Sequence, residues 1–232
     1  MDIDGERLCR NTLDTAEFGA IDVEAGHGRI VLTSSEADRE AREYLVSELE
    51  AAGMTVRVNS VRNVAGQWTP ESVDLKTPPV TLGSCLDSVP RSGIFDDALG
   101  VYARVEAVRA IRAADLLINP PIDVVSFTEE EGTRFGIGTF SSSVATGKLA
   151  ISDALELEDD DIKTLEDRLT SIDLRRRNRI DPADRTRGSN STSNKGRDWS
   201  RQEFLSASSM LSPGLPMSAS RWSASPIARV RP

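Results

Sequence analysis

Apolar residues recur along the first two thirds of the chain at two spacings, three to four residues and two, and these divide it into helices and strands. Gly5 to Phe18 places Leu8, Leu13 and Phe18 at roughly helical spacing, which predicts an N-terminal helix. Ser34 or Ser35 before Glu36-Ala37-Asp38 predicts a helix start, since a hydroxyl caps free amides and acidic side chains complement the helix dipole. Ala41, Tyr44, Leu45, Leu49 and Ala52 then form one apolar stripe, and Gly53 ends the helix. Met54 to Val58 alternates as a strand, Val64 to Gln67 reads as a second, and the three prolines between Thr69 and Pro79 mark a loop. Beyond it lies an apolar strand, Val80 to Ser84. Gly100 to Ala114 carries Val101, Val105, Val108 and Ile111 on one face, and Pro120-Pro121 separates that helix from the strand Ile122 to Phe127. Strand, helix and strand with a helix-length crossover is the pattern of an α/β domain with helices on a parallel or mixed sheet. Ser152 to Leu169 predicts one or two surface helices, with Asp159-Asp160-Asp161 as a solvated turn between them.

The pattern stops near Ile172. Residues 186–232 are rich in Ser, Arg and Pro, with Trp199, Phe204 and Trp222 as isolated aromatics, so the expected organisation is one domain over 1–171 and a disordered tail over 172–232. Charge divides at the same place: residues 1–171 hold 32 acidic and 16 basic side chains, the remainder 5 and 12. An acidic domain argues against nucleic acid as a partner. Two cysteines, Cys9 and Cys85, cannot form a disulfide framework, and no apolar run resembles a signal peptide or membrane span. A reducing cytoplasm, with no membrane partner, is the expected setting.

Three acidic groups stand at the ends of apolar runs: Cys85-Leu86-Asp87, Asp96-Asp97 and Glu129-Glu130-Glu131. Strands that end in carboxylates deliver them to one rim of a sheet, where open α/β folds place their sites, and carboxylates gathered there call for a cation. Glu129–Glu131 alone would read as a solvated turn, and it is the array of three groups that reverses this. Ser84 and Ser141-Ser142-Ser143 suggest a nucleophile only if a base stands near, and the one histidine, His27, lies in a glycine-flanked loop with nothing to place it there.

Taken together the motifs resemble a known family, the two-metal amidohydrolases related to zinc aminopeptidases. The nearest branch is that of N-carbamoyl-L-amino-acid hydrolases, allantoate amidohydrolases and β-ureidopropionases. The carriers are Gly83-Ser84-Cys85-Leu86-Asp87-Ser88-Val89-Pro90, Gly93-Ile94-Phe95-Asp96-Asp97-Ala98-Leu99-Gly100 and Phe127-Thr128-Glu129-Glu130-Glu131-Gly132-Thr133-Arg134-Phe135-Gly136, in that order. The resemblance implies the N-terminal portion of a zinc-aminopeptidase-like catalytic domain, two divalent ions (Zn, Mn or Co) and a small ureido or amide substrate. It implies Asp96 as bridging ligand, Glu131 as terminal ligand, Glu130 as general base and Asp87 as the carboxylate that orients a ligand. Cys85 stands where the family has a ligand histidine, and Asp97 where it has glycine. A thiolate can bind zinc, but Cys85 reads first as a small buried residue at a strand end and second as a ligand.

The family continues with a Phe/Leu-His-Ile-Glu-Gln-Gly-Pro segment and a lid through which its members dimerise, and neither is spelled out here. Asn190-Ser191-Thr192-Ser193-Asn194-Lys195-Gly196 can be encoded AAT TCC ACA TCG AAC AAG GGC, which reads Phe-His-Ile-Glu-Gln-Gly from the third base. The expectation is therefore a tail translated out of frame, the shift lying between about Leu169 and Arg185, and a chain that is either a hydrolase or a frameshifted, inactive remnant that binds divalent metal weakly. An ordinary disordered tail is the alternative.

Overall fold

The computed structural model describes residues 1–23, 27–71, 73 and 77–171, and the backbone of Phe204–Ser206. The predicted disorder of 172–232 lies outside the described residues apart from that short strand. Among the described residues five α-helices, α1 (Gly5–Ala16), α2 (Glu36–Ala51), α3 (Ala98–Ala113), α4 (Phe140–Ala145) and α5 (Leu165–Ser171), accompany two sheets. The larger sheet has β3 (Thr55–Val58), β4 (Val64–Trp68), β7 (Ile122–Phe127), β5 (Val80–Cys85) and β8 (Phe204–Ser206) in that order. β3, β4 and β7 pair antiparallel, while β7, β5 and β8 run parallel, so the sheet is mixed. The smaller one joins two-residue strands, β1 (Ala20–Ile21), β2 (Gly28–Arg29) and β6 (Ser92–Gly93).

α2 begins where Ser35 Oγ accepts the Asp38 amide at 3.1 Å, and ends at Gly53, whose φ of 71° only glycine adopts freely. Its stripe of Ala41, Leu45 and Leu49 joins Val101, Tyr102, Val105 and Val108 of α3 over Val64 and Val124 of the sheet. On the opposite sheet face Ala65, Val125 and Phe127 pack with Ala145 of α4. β7 is thus covered on both sides, and all six of its residues are buried, the polar Asp123 and Ser126 included. Gly83 leaves room for the Phe127 ring of β7, which a Cβ there would overlap. No helix among the described residues is long and apolar enough to cross a membrane.

The N-terminal helix forms as expected but with a different inward face, and the reading of residues 152–169 needs correction. α1 turns Thr12 and Thr15 inward and leaves Leu13 exposed, because the Thr15 hydroxyl bonds the buried Tyr102 hydroxyl at 2.7 Å. Of the one or two surface helices expected over 152–169, α5 forms, and it is anchored more deeply than a surface helix need be. A 3-10 turn (Ile151–Asp153) and α5 bury Ala154, Leu165 and Leu169 against Val61, Phe135 and Phe140. Nor is Asp159 part of a solvated turn: Oδ2 accepts Arg134 Nε at 2.9 Å and Arg168 Nε at 2.8 Å, and Oδ1 accepts the Asp161 and Lys163 amides.

Burial acts to raise the Asp159 pKa, but the bonds from Arg168 and Arg134 outweigh it and hold the carboxyl far below the usual range. A depressed pKa gives stability that is present above the unfolded value, about 3.9, and lost as pH falls toward the folded one. Asp159→Asn is expected to destabilise by about 2–4 kcal/mol at pH 7, with the difference shrinking below about pH 4, as checked by urea unfolding across pH.

Candidate metal centre

Parallel β5 and β7 end side by side, with Cys85 opposite Phe127, so the segments that follow them leave from one rim. The loop after β7 is anchored first. Glu129, only 1% exposed at a φ of 55°, accepts the amides of Phe135 at 3.0 Å and Arg134 at 3.3 Å. It ties the turn together and presents nothing to solvent. Asp87 Oδ2 then accepts the amides of both Glu130 and Glu131 at 3.0 Å, which fixes the two glutamates relative to the end of β5. Its Oδ1 is buried without a partner, and burial pushes the carboxyl up to about 7.

The structure brings Cys85 Sγ and one carboxylate oxygen each of Asp97 and Glu131 within 4.8 Å of one another. The thiol donates to Asp97 Oδ2 at 3.1 Å. Burial, followed by the charges of Asp87 and Asp97, raises the thiol pKa well above its ordinary value. Glu131 is raised too, first through its hydrogen bond with Asp97, then by burial and by the charges of Asp97, Asp96 and Asp87. Clustered negative groups hold their protons until a cation replaces them.

Asp96 is adjacent but engaged elsewhere, accepting the Ser92 hydroxyl at 2.5 Å. Glu130 lies outside the three-atom cluster. Its Oε1 accepts the Ser142 amide at 2.9 Å and the Ser141 hydroxyl at 3.3 Å, and burial raises its pKa against the effect of those bonds. Ser141 is therefore spent on positioning Glu130.

Arg29 was not signalled by any motif. It is fully buried, donates from Nη2 to the Leu86 carbonyl, and leaves Nε and Nη1 without partners beside Cys85, Asp96 and Asp87. One feature of the sequence pointed to it: an arginine directly before the apolar Ile30-Val31-Leu32.

A thiol and two carboxylates offer three ligand atoms, which suits one divalent cation. Among the described residues no second such cluster occurs, and His27 belongs to none.

The sequence profile of Peptidase family M28 matches residues 63–156. An N-carbamoyl-L-amino-acid amidohydrolase of Pseudomonas sp. (strain NS671) is 40% identical over 136 residues, covering 58% of this chain and 32% of that protein. The crystal structure of a hydantoinase/carbamoylase family amidase from Burkholderia ambifaria superposes with a TM-score of 0.68 at 36% identity, over 74% of this chain and 41% of that one. Over its N-terminal part the chain is similar to these amidohydrolases. An Arabidopsis thaliana ureidoglycolate hydrolase is also related, 32% identical over 122 residues, 53% of this chain and 25% of that protein. The chain spans between 25% and 40% of the length of these curated relatives. The mixed sheet and this superposition bear out the expected α/β fold.

Proposed function

We propose that the chain carries part of a metal-dependent hydrolase of linear amide or ureido C–N bonds, with an N-carbamoyl amino acid or a related small ureido compound as substrate. The observation that supports it is the meeting of Cys85, Asp97 and Glu131 beside Glu130 at the rim where β5 and β7 end. A divalent cation held by those ligands supplies Lewis acidity and lowers the pKa of a water toward neutrality. Glu130 takes the proton of the attacking water and passes it to the leaving nitrogen, a role suited to a buried carboxyl fixed by Ser141 and Ser142. Asp87 keeps Glu130 and Glu131 in register by holding both amides. Asp96 is close enough for its charge to act on Glu131 and would add a further carboxylate toward a cation held there.

Purified chain supplied with zinc, manganese or cobalt is expected to release ammonia from N-carbamoyl amino acids. Absence of release with every metal and with allantoate as well would sink the reading.

One observation favours a second reading, that of a weak cation binder without turnover. The cluster contains no imidazole, although a histidine is what the resemblance expects at Cys85. If that reading holds through loss of frame, the gene read two bases on from the Asn190 codon encodes Phe-His-Ile-Glu-Gln-Gly. Nucleotide sequence lacking those codons removes the frame argument.

A further inference from the structure

The far end of α3 carries a grouping of charge that the hydrolase reading does not use. The helix has 16 residues and is therefore about 24 Å long, which sets its last turn well away from the rim where Asp97 stands. There Arg109 and Arg112 join Arg7 of α1 around an open groove of about 470 Å³, whose other walls are Ala51, Ala52 and Ala113. No carboxylate among the described residues lines it. That runs against the composition of residues 1–171, where 32 acidic side chains face 16 basic ones.

The three guanidiniums are held in place by the protein itself. Arg7 gives Nε and Nη2 to Glu106 at 2.8 Å each and faces Asp4 through Nη1 at 3.1 Å, so it is a fixed wall. Arg109 Nη2 donates to the carbonyl and to Oε2 of Glu48, both at 3.0 Å, and Arg112 Nη1 donates to the Ala52 carbonyl. These bonds cover carbonyls at the end of α2, whose dipole would otherwise repel an anion. The Arg112 guanidinium rests where a Cβ on Gly53 would stand, so glycine is what admits it. Donors are left over. Arg109 Nη1 is buried without a hydrogen-bond partner, 4.0 Å from Glu106 Oε2 and so beyond bonding distance. Arg112, which is exposed, gives its bond to a neutral carbonyl and not to a carboxylate. A buried donor without an acceptor is rare, and an anion is what satisfies one of positive charge.

We propose that Arg7, Arg109 and Arg112 bind a phosphate dianion, free or as a monoester, in the groove where α2 and α3 end. Planar guanidiniums match the oxygens of phosphate with paired charged hydrogen bonds, and alanine walls let the ligand come close to them. Bound phosphate ties α1 to the ends of α2 and α3, so it stabilises the fold as it binds. The site is independent of the hydrolase reading, and the failure of one leaves the other untouched.

Inorganic phosphate and glycerol phosphate, titrated into the full chain by calorimetry in chloride buffers of constant ionic strength, are the probes, with melting temperatures recorded in parallel. Saturable binding of one phosphate per chain is expected, together with a raised melting temperature. Arg112→Gln and Arg109→Gln are each expected to weaken that binding at least about tenfold, since charged hydrogen bonds are lost. Lys148→Gln, which removes an exposed charge elsewhere, is expected to change it by less than about twofold. Arg112 is at the surface, so Arg112→Gln decides the matter even where Arg109→Gln does not fold. Tighter binding of the ester assigns the groove to phosphorylated small molecules, and tighter binding of inorganic phosphate assigns it to the free ion. Binding that Arg112→Gln leaves unchanged overturns the proposal and places the anion on the 12 basic side chains of residues 172–232. An equal loss in Lys148→Gln, or no saturable binding of either probe, overturns it as well.

Discussion

Glu130→Gln is expected to lower ammonia release by about 10²–10⁴-fold while the amount of bound zinc stays unchanged. The two readouts separate because Glu130 is not among the three ligand atoms that meet within 4.8 Å. Glutamine keeps the length of the side chain, and its amide oxygen accepts the same bonds from the Ser142 amide and the Ser141 hydroxyl. What it loses is the capacity to take a proton from water and return it to nitrogen. A ligand substitution such as Glu131→Gln behaves differently, because metal and activity fall together. Kinetic assays run beside metal analysis of the same samples discriminate the two. Undiminished turnover in Glu130→Gln would remove the general-base role, and a parallel loss of zinc would make Glu130 a ligand.

The long elements were legible because their signals are local. Ser35, the stripe of Ala41, Leu45 and Leu49, and Gly53 specify α2 without reference to the rest of the chain. The apolar runs of β5 and β7 and the helix between them specify a parallel pair, and so bring Asp87, Glu130 and Glu131 to one rim. What sequence could not show depends on partners distant along the chain. β1, β2 and β6 are two residues each, too short for any period, and exist through pairings such as Arg29 with Ser92. α4 has Thr139 in a left-handed conformation before it and no side-chain cap, so nothing announces its start. The run Asp159-Asp160-Asp161 looks like solvent-facing turn chemistry until Arg134, 25 residues away, is placed against its first member. Adjacent carboxylates are hardest of all. Whether Asp96 or Asp97 faces Cys85 follows from the backbone, where Asp97 sits at a φ of 51°, while Asp96 is turned to Ser92. Ser141 shows the converse: its hydroxyl drew attention as a nucleophile and serves instead to hold Glu130.

Arg42→Met is expected to destabilise the chain by about 3–5 kcal/mol, the largest effect of any single substitution away from the rim. Arg42 and Asp38 are both fully buried one turn apart on α2, with Nε to Oδ1 at 2.6 Å. Asp38 Oδ2 accepts the Ser34 amide at 2.8 Å, and Arg42 Nη1 donates to the Arg62 carbonyl at 2.7 Å. Ser34 in turn bonds the Arg168 carbonyl and Arg62 bonds that of Leu169, so the pair fastens the start of α2 to the segment before β4 and to α5. Methionine fills much of the same volume but leaves the Asp38 carboxylate without its counter-charge in a dry interior, and leaves the Arg62 carbonyl without that donor. For a domain whose total stability is of order 5–15 kcal/mol, such a loss is large. The double change Asp38→Leu with Arg42→Met removes both charges and is expected to recover most of it, because the penalty lies in the unpaired ion more than in the lost attraction. Urea midpoints for the two single variants and the double variant test this. Additive losses would show that Asp38 and Arg42 act separately, and the fastening of α2 would then have to be sought in the Ser34 and Arg62 contacts alone.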